Sequence, residues 1–140
     1  MLKVVIDTNN FISSLINRKG PSAQLIKLWQ HGYFTLVICD PIIEEIRRVL
    51  TYPRLAKKYK LQQDDIEVFI RLLEQEAVIL SDLPDVKVIE DDPDGNKFIA
   101  CALRSGAEYI VSGDKHLLEL AKFKKVSIIT VRDFLKLFHR

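Results

Sequence analysis

An apolar run that ends abruptly in an acid opens this chain and limits how it can fold. Val4, Val5 and Ile6 show no alternation of apolar and polar residues, and Asp7 follows them directly. A strand of this kind is typically buried on both faces, as in a parallel sheet covered by helices. In open α/β sheets, ligands bind at the edge formed by the carboxyl ends of the strands. Asp7 is therefore either a helix cap or a functional carboxylate.

The rest of the chain alternates short apolar runs with amphipathic segments. The pattern predicts helices over 8–16, 22–31, 41–50, 64–76, 97–105, 115–121 and 131–138. It predicts further strands over 34–39, 78–80, 109–111 and 126–130, with a short edge strand over 86–89. We expect Asp40 to cap the third helix and Pro53 to end it. Strands that alternate with helices indicate a parallel sheet covered on both faces, in one domain over 1–140.

Composition sets the context without deciding the function. Apolar residues make up 48% and charged residues 29% of the chain, as in ordinary globular proteins, and the net charge is only +2. No apolar run approaches the roughly 20 residues that span a bilayer, and no leader pattern is present. Cys39 and Cys101 form no C-x-x-C unit, so we expect buried reduced thiols. These features predict a cytoplasmic, unprocessed protein without a membrane partner.

Four acids lie at or beside predicted strand-to-helix junctions, and they are Asp7, Glu45, Asp94 and Asp114. On a helical wheel Glu45 falls at the border of the apolar stripe, whereas Glu44 falls on the solvent side. Aspartates that precede helices are often only caps. Several unpaired carboxylates in one cleft would nevertheless repel each other, and a divalent cation removes that conflict. An all-oxygen acidic site suits Mg²⁺ or Mn²⁺.

A metal ion among carboxylates, hydroxyls and amides suits the hydrolysis of a phosphodiester, because it activates a water and stabilises the leaving oxygen. No G-x-S-x-G or Cys–His signature points to a covalent nucleophile. No G-x-G-x-x-G or Walker loop points to a nucleotide cofactor. Phosphatases with an aspartyl intermediate typically show D-x-D-x-T, and here Asn9 holds the place of the second aspartate. That alternative therefore ranks below metal-dependent hydrolysis.

Four segments in this order resemble a PIN domain, and more closely the PIN-family toxins of toxin–antitoxin systems, relatives of the VapC toxins. They are V-V-I-D-T-N-N at 4–10, Glu45 on its helix, D-P-D-G-N-K-F at 92–98 and S-G-D-K-H-L-L at 112–118. The resemblance implies a three-layer α/β/α fold and a Mg²⁺- or Mn²⁺-dependent ribonuclease that acts on RNA. It also implies a homodimer and inhibition by a partner antitoxin protein.

The resemblance also implies site residues, and Gly95 is where the chain departs from the family pattern. By position, acids of the metal site match Asp7, Glu45 and Asp114, and supporting polar residues match Asn9 and Ser112. Relatives usually carry D-P-x-D-N-K at the third acidic position, whereas Gly95 replaces the second aspartate here. Asp94 is the nearest substitute, Asp92 lies further away, and Asn96 is a supporting candidate. The departure leaves open a weakened or inactive fold that binds RNA or a protein partner without cutting.

Basic residues near these acids are candidates for holding the phosphates of RNA. They are Arg48, Arg54, Lys57, Lys97 and Lys115. Alternatively, these basic residues have no binding role and only form a solvated surface. Lys97 and Lys115 each come shortly after a candidate ligand, so they could instead balance its charge.

Overall fold

The computed structural model describes residues 1–89 and 93–138, and its centre is a mainly parallel sheet. The strands are β1 Lys3–Ile6, β2 Thr35–Cys39, β3 Val78–Leu80, β4 Tyr109–Val111, β5 Lys122–Phe123 and β6 Val126–Ile129. Their order in the sheet is β3-β2-β1-β4-β6-β5. Neighbouring strands are parallel except β5 and β6, which are antiparallel.

Helices connect the strands and cover the sheet. They are α1 Thr8–Ile16, α2 Pro21–Gln30, α3 Asp40–Leu50, α4 Pro53–Tyr59, α5 Gln63–Glu76, α6 Asn96–Ser105, α7 Lys115–Leu120 and α8 Val131–Lys136. A 3₁₀ turn over Pro93–Gly95 leads into α6. Successive residues 4–6 of β1 and 36–39 of β2 are all at most 1% exposed. Because successive side chains point to opposite faces, both faces are covered, which confirms the three-layer α/β/α fold.

The predicted elements begin and end close to the observed ones except for one edge strand, whereas α4 and β5 are not predicted by the sequence pattern. Residues 86–89, which the structure describes, form no strand. Their backbone is held instead by the side chain of Asn96, whose Oδ1 accepts from the N–H groups of Val88 and Ile89 at 3.1 and 2.9 Å. The side chain of Asn96 thus makes the hydrogen bonds to this backbone that a neighbouring strand would make in a sheet.

The bounds of α3 agree with the prediction, but the roles of Asp40 and Pro53 differ from it. Asp40 does not cap this helix, because Cys39 holds the N-cap position and Asp40 is already helical. Its charge still suits the first turn, where the helix dipole favours an acid. Pro53 does not end α3, which stops at Leu50; it begins α4 instead. Proline fits there because its fixed φ is compatible with a first helical turn, where no N–H is needed.

The structure bears on two expectations from composition, the state of the cysteines and the absence of a membrane-spanning helix. Cys39 and Cys101 are both buried and free, as predicted. Within 1–89 and 93–138, each helix is too short or too polar to cross a bilayer.

Candidate active site

Two of the four candidate acids are brought together by the register of β1 and β4. These strands are parallel neighbours, with Ile6 beside Val111. The N–H of Asp7 donates to the carbonyl of Val111 at 3.1 Å and extends the ladder by one residue. Asp7 therefore lies beside the turn that carries Ser112 and Asp114.

The carboxylate of Asp7 is buried and accepts four hydrogen bonds. Its Oδ1 accepts from the backbone N–H and the side-chain amide of Asn10 at 2.9 and 2.7 Å. Its Oδ2 accepts from the hydroxyl of Ser112 at 2.6 Å and the N–H of Gly113 at 3.2 Å. Burial raises the pKa of Asp7 above its ordinary value, and these hydrogen bonds oppose the rise. The carboxylate is thereby fixed in position and orientation.

Asp114 is oriented by the same network. The hydroxyl of Ser112 that donates to Asp7 also accepts from the N–H of Asp114 at 2.9 Å. Oδ1 of Asp114 accepts from the N–H of Leu117 at 3.0 Å and so caps α7. Asp7 likewise caps α1. Both aspartates therefore act as helix caps. Capping uses only Oδ1 of Asp114, one of its two side-chain oxygens.

Glu45 and Asp94 meet at the ammonium group of Lys97. Lys97 Nζ lies 2.7 Å from Oε2 of Glu45 and 2.8 Å from Oδ1 of Asp94. The side chains of Glu45 and Lys97 are each 14% exposed, whereas that of Asp94 is 72% exposed. The hydrogen bond from Lys97 lowers the pKa of Asp94. Glu44 is exposed, so the assignment of the neighbouring glutamates by the helical wheel is confirmed.

All four candidate acids line one cleft of about 250 Å³ at the carboxyl edge of the sheet. Asn9 and Arg48 line it too, as does Gly95. Its apolar walls come from Val49, Phe98 and Leu117. The cleft therefore brings the acidic oxygens together beside three apolar side chains.

Two residues at the site were not singled out by the sequence. Thr8 lines the cleft, and its Oγ1 is buried without a hydrogen-bond partner among the described residues. A buried hydroxyl left unsatisfied costs about 1–3 kcal/mol, so this oxygen is available to a ligand. Asn10 supplies two of the four bonds to Asp7. Its position three residues after a capping aspartate is a signal that could have identified it.

The donor set has the chemistry for a hard divalent cation. The four acids offer only oxygen, and Thr8 adds a hydroxyl without another partner among the described residues. In that same part of the chain, no three acidic, histidine or cysteine side chains are close enough to hold one ion. The residues fit such an ion by their chemistry, and the acids other than the fixed Asp7 would have to turn to gather around it.

The remaining candidates from the sequence are spread more widely. Asn96 does not line the cleft and holds the backbone of 88–89 instead. Asp92 lies outside the described residues. Arg54 and Lys57 are exposed on α4. Lys115 is 83% exposed on α7 and lies 3.9 Å from Glu119. Of the five basic candidates, Arg48 and Lys97 are the ones beside Glu45.

Three comparisons with known proteins show what this chain is similar to. A family model described as PIN domain matches residues 3–116, a range that includes all four acids. The chain is 32% identical to the uncharacterized protein MJ1680 of Methanocaldococcus jannaschii, over 99% of this chain and 93% of that protein. Among solved structures it is similar to the PIN domain of human SMG5, with a TM-score of 0.49 and 15% identity, covering 97% and 98% of the two chains.

The hydrogen bond from Ser112 to Asp7 predicts a pH-dependent loss of stability in Ser112→Ala. The bond favours the charged carboxylate, so its removal raises the pKa of Asp7 further. Above that pKa we expect the free energy of unfolding to fall by about 1–3 kcal/mol. The part of the loss due to Asp7 disappears as the pH falls towards the ordinary pKa, because a protonated Asp7 no longer needs the donor.

Urea denaturation in the presence of chelator, from about pH 8 to about pH 4, measures this difference. Ser14→Ala is the matched control, because the buried hydroxyl of Ser14 donates to the carbonyl of Phe11, which does not titrate. A difference between wild type and Ser112→Ala that stays constant over this range would contradict the assignment.

Proposed function

Because the chain belongs to the PIN-domain family, we propose that it is a metal-dependent endoribonuclease that hydrolyses phosphodiester bonds of RNA. PIN domains are generally a nuclease fold. The observation that supports the proposal most strongly is the single cleft lined by Asp7, Glu45, Asp94 and Asp114. These acids come from separate parts of the chain, which is the arrangement expected of a shared site and not of independent caps.

In this proposal the four acids hold Mg²⁺ or Mn²⁺, with Asn9 and Ser112 in support. The bound ion supplies an activated water and stabilises charge on the leaving oxygen. The residues of the chain position the ion and the RNA. Asp7 is the most rigid ligand, because Asn10 and Ser112 fix both of its oxygens. Phe98 and Leu117 form an apolar wall on one side of the cleft.

The RNA backbone would approach from the side of Arg48. This arginine lines the cleft, is 63% exposed and has its Nη2 4.0 Å from Oε2 of Glu45. It can therefore contact a phosphate while remaining near the acids. Arg54 and Lys57 are exposed on α4 and Lys115 on α7, and in this proposal they add further phosphate contacts. Contacts of this kind bind phosphates without reading sequence, so binding should weaken as salt increases.

The finer biological role that we propose is the toxin of a toxin–antitoxin pair, acting in the cytoplasm as a homodimer and inhibited by a cognate antitoxin protein. The support is the resemblance of segments in order along the chain to toxins of this family. Growth arrest on expression, relieved by the product of the neighbouring reading frame, tests this role against RNA processing.

Asp7→Asn is expected to abolish RNA cleavage in a chain that still folds but is less stable, because its amide N–H₂ faces donors that the carboxylate accepted from. The substitution keeps the size of the side chain and removes its charge, so a fixed anionic ligand is lost. Cleavage of a fluorescent RNA in Mn²⁺ should fall by at least about 100-fold, and chelator should abolish it in the wild type. Asp65→Asn is the control, because Asp65 is 54% exposed beside Arg18. Undiminished cleavage by Asp7→Asn would remove Asp7 from the mechanism.

The adjacent glutamates of α3 allow a second, closely matched prediction. Glu45→Gln should lower Mn²⁺-dependent cleavage by at least about tenfold, because a carboxylate that lines the cleft loses its charge. Glu44→Gln makes the same chemical change one residue away, on the exposed side of the helix, and should leave the rate unchanged. Equal rates for the two variants would mean that the cleft is not where RNA is cut.

A second candidate function is a PIN fold that binds RNA or a protein partner without cutting it. Gly95 favours this candidate, since it replaces an aspartate of the family pattern at a position that lines the cleft. The substitute, Asp94, carries a side chain that is 72% exposed. Gly95 has φ −70° and ψ −19°, which any residue can adopt. A Cβ there would meet Cδ1 of Ile89 at 3.1 Å, so Ile89 would have to give way slightly.

Calorimetric titration with Mn²⁺ distinguishes the two candidates. For a nuclease we expect the wild type to bind, and Gly95→Asp to bind more tightly because it adds an oxygen ligand. Gly95→Asn is the matched control, since it adds nearly the same volume without charge. Binding that occurs only in Gly95→Asp would instead support a PIN fold that does not cut RNA. Circular dichroism confirms that each variant is folded.

A further inference from the structure

Lys97 satisfies all its hydrogen-bonding capacity inside the acidic site. Its ammonium donates to Oε2 of Glu45 at 2.7 Å, to Oδ1 of Asp94 at 2.8 Å and to the carbonyl oxygen of Asp94 at 3.2 Å. An ammonium has three N–H donors, and these three oxygens use all of them. Lys97 thus joins α3 to the turn before α6, across 52 residues of chain.

Lys97 lies at the end of α6 that is unfavourable for a positive charge. Lys97 is the second residue of α6, where the helix dipole disfavours a positive charge. Its side chain is only 14% exposed, and its Nζ lies 4.9 Å from the centre of the Phe98 ring. A cation that is both desolvated and at the wrong end of a helix is held there by the acids it contacts. Its role is therefore tied to Glu45 and Asp94.

The same two acids are proposed ligands of the divalent ion. A divalent ion held by Glu45 would bring two further positive charges to a carboxylate whose Oε2 already accepts from the ammonium of Lys97 at 2.7 Å. Two cations on one carboxylate repel each other. The ammonium and the ion therefore compete for this carboxylate.

We propose that Lys97 is an internal counter-ion, which occupies Glu45 and Asp94 in the metal-free protein and is displaced from them when a divalent ion binds. The inference rests on the proposed function, because it assumes that these acids hold the ion. Lys97 keeps the acids together when no ion neutralises them. The cost is a weaker apparent affinity for the ion, because only the population with Lys97 released is competent to bind.

Removing the charge of Lys97 tests the displacement without any measurement of cleavage. In calorimetric titrations with MnCl₂, Lys97→Met should bind Mn²⁺ about tenfold more tightly than the wild type, which is within the usual range of coupling between two sites. Two controls remove one positive charge elsewhere. Lys136→Met breaks an exposed pair with Asp133, and Arg47→Met removes a charge on the same helix as Glu45 that is 44% exposed and pairs with Glu67. Both controls should stay within about twofold of the wild type.

The outcomes separate this inference from the proposed function. Tighter binding by Lys97→Met alone supports displacement, and so does binding by Lys97→Met when the wild type binds too weakly to detect. Equal or weaker binding by Lys97→Met, with a wild type that binds, overturns displacement and leaves the nuclease proposal standing. Absence of binding by both proteins overturns both proposals.

A measurement on the wild type tests the same displacement if Lys97→Met fails to fold. The ¹⁵Nζ resonance of Lys97 can be followed by nuclear magnetic resonance while Mg²⁺ is added. Displacement predicts that this resonance moves to the position of a solvated lysine as the site fills. A Lys97 resonance that stays unchanged while the backbone signals of Asp7 and Asp114 shift would overturn the inference.

Discussion

The hydrogen bonds that surround the carboxylate of Asp7 are the interaction on which the rest of the site depends. One oxygen is held by Asn10 on α1, and the other by Ser112 and Gly113 after β4. These donors lie 3 to 106 residues away along the chain, so the carboxylate joins the ends of two parallel strands. A buried carboxylate without donors would be strongly unfavourable. Here the sequence supplies the donors by placing small polar residues where β1 and β4 end.

The fold manages its concentration of negative charge by three different means. Asp7 is satisfied by neutral donors, and Asp114 by the first turn of α7. Glu45 and Asp94 share the ammonium of Lys97. Each of these arrangements uses groups of the chain itself. They do leave the pKa of Asp7 raised by burial, a perturbation typical of residues with a function.

The sequence predicted those parts of the site that follow from local rules. A buried strand that ends in an acid places Asp7 and Asp114 at one edge, because parallel strands end on the same side. The apolar stripe of α3 distinguishes Glu45 from Glu44, because a helix repeats every 3.6 residues. The resemblance of these segments to a PIN domain is confirmed by the match over residues 3–116.

Parts that depend on contacts between distant segments could not be predicted in this way. The sequence places Lys97 after a candidate ligand, but its bond to Glu45 spans 52 residues. Asn96 was expected at the site, whereas its amide holds the backbone of 88–89. β5 has two residues and no periodic signal of its own. Each of these features depends on which segments the fold brings together, and single-sequence patterns do not contain that information.

Whether the four acids hold a divalent ion can be seen by diffraction from a crystal grown without metal and then soaked in Mn²⁺, recorded at the manganese absorption edge. We expect an anomalous peak inside the cleft, bonded to Asp7 and to at least one more of the four acids. A cleft without such a peak, at a concentration of Mn²⁺ that labels other surface sites, would contradict this expectation.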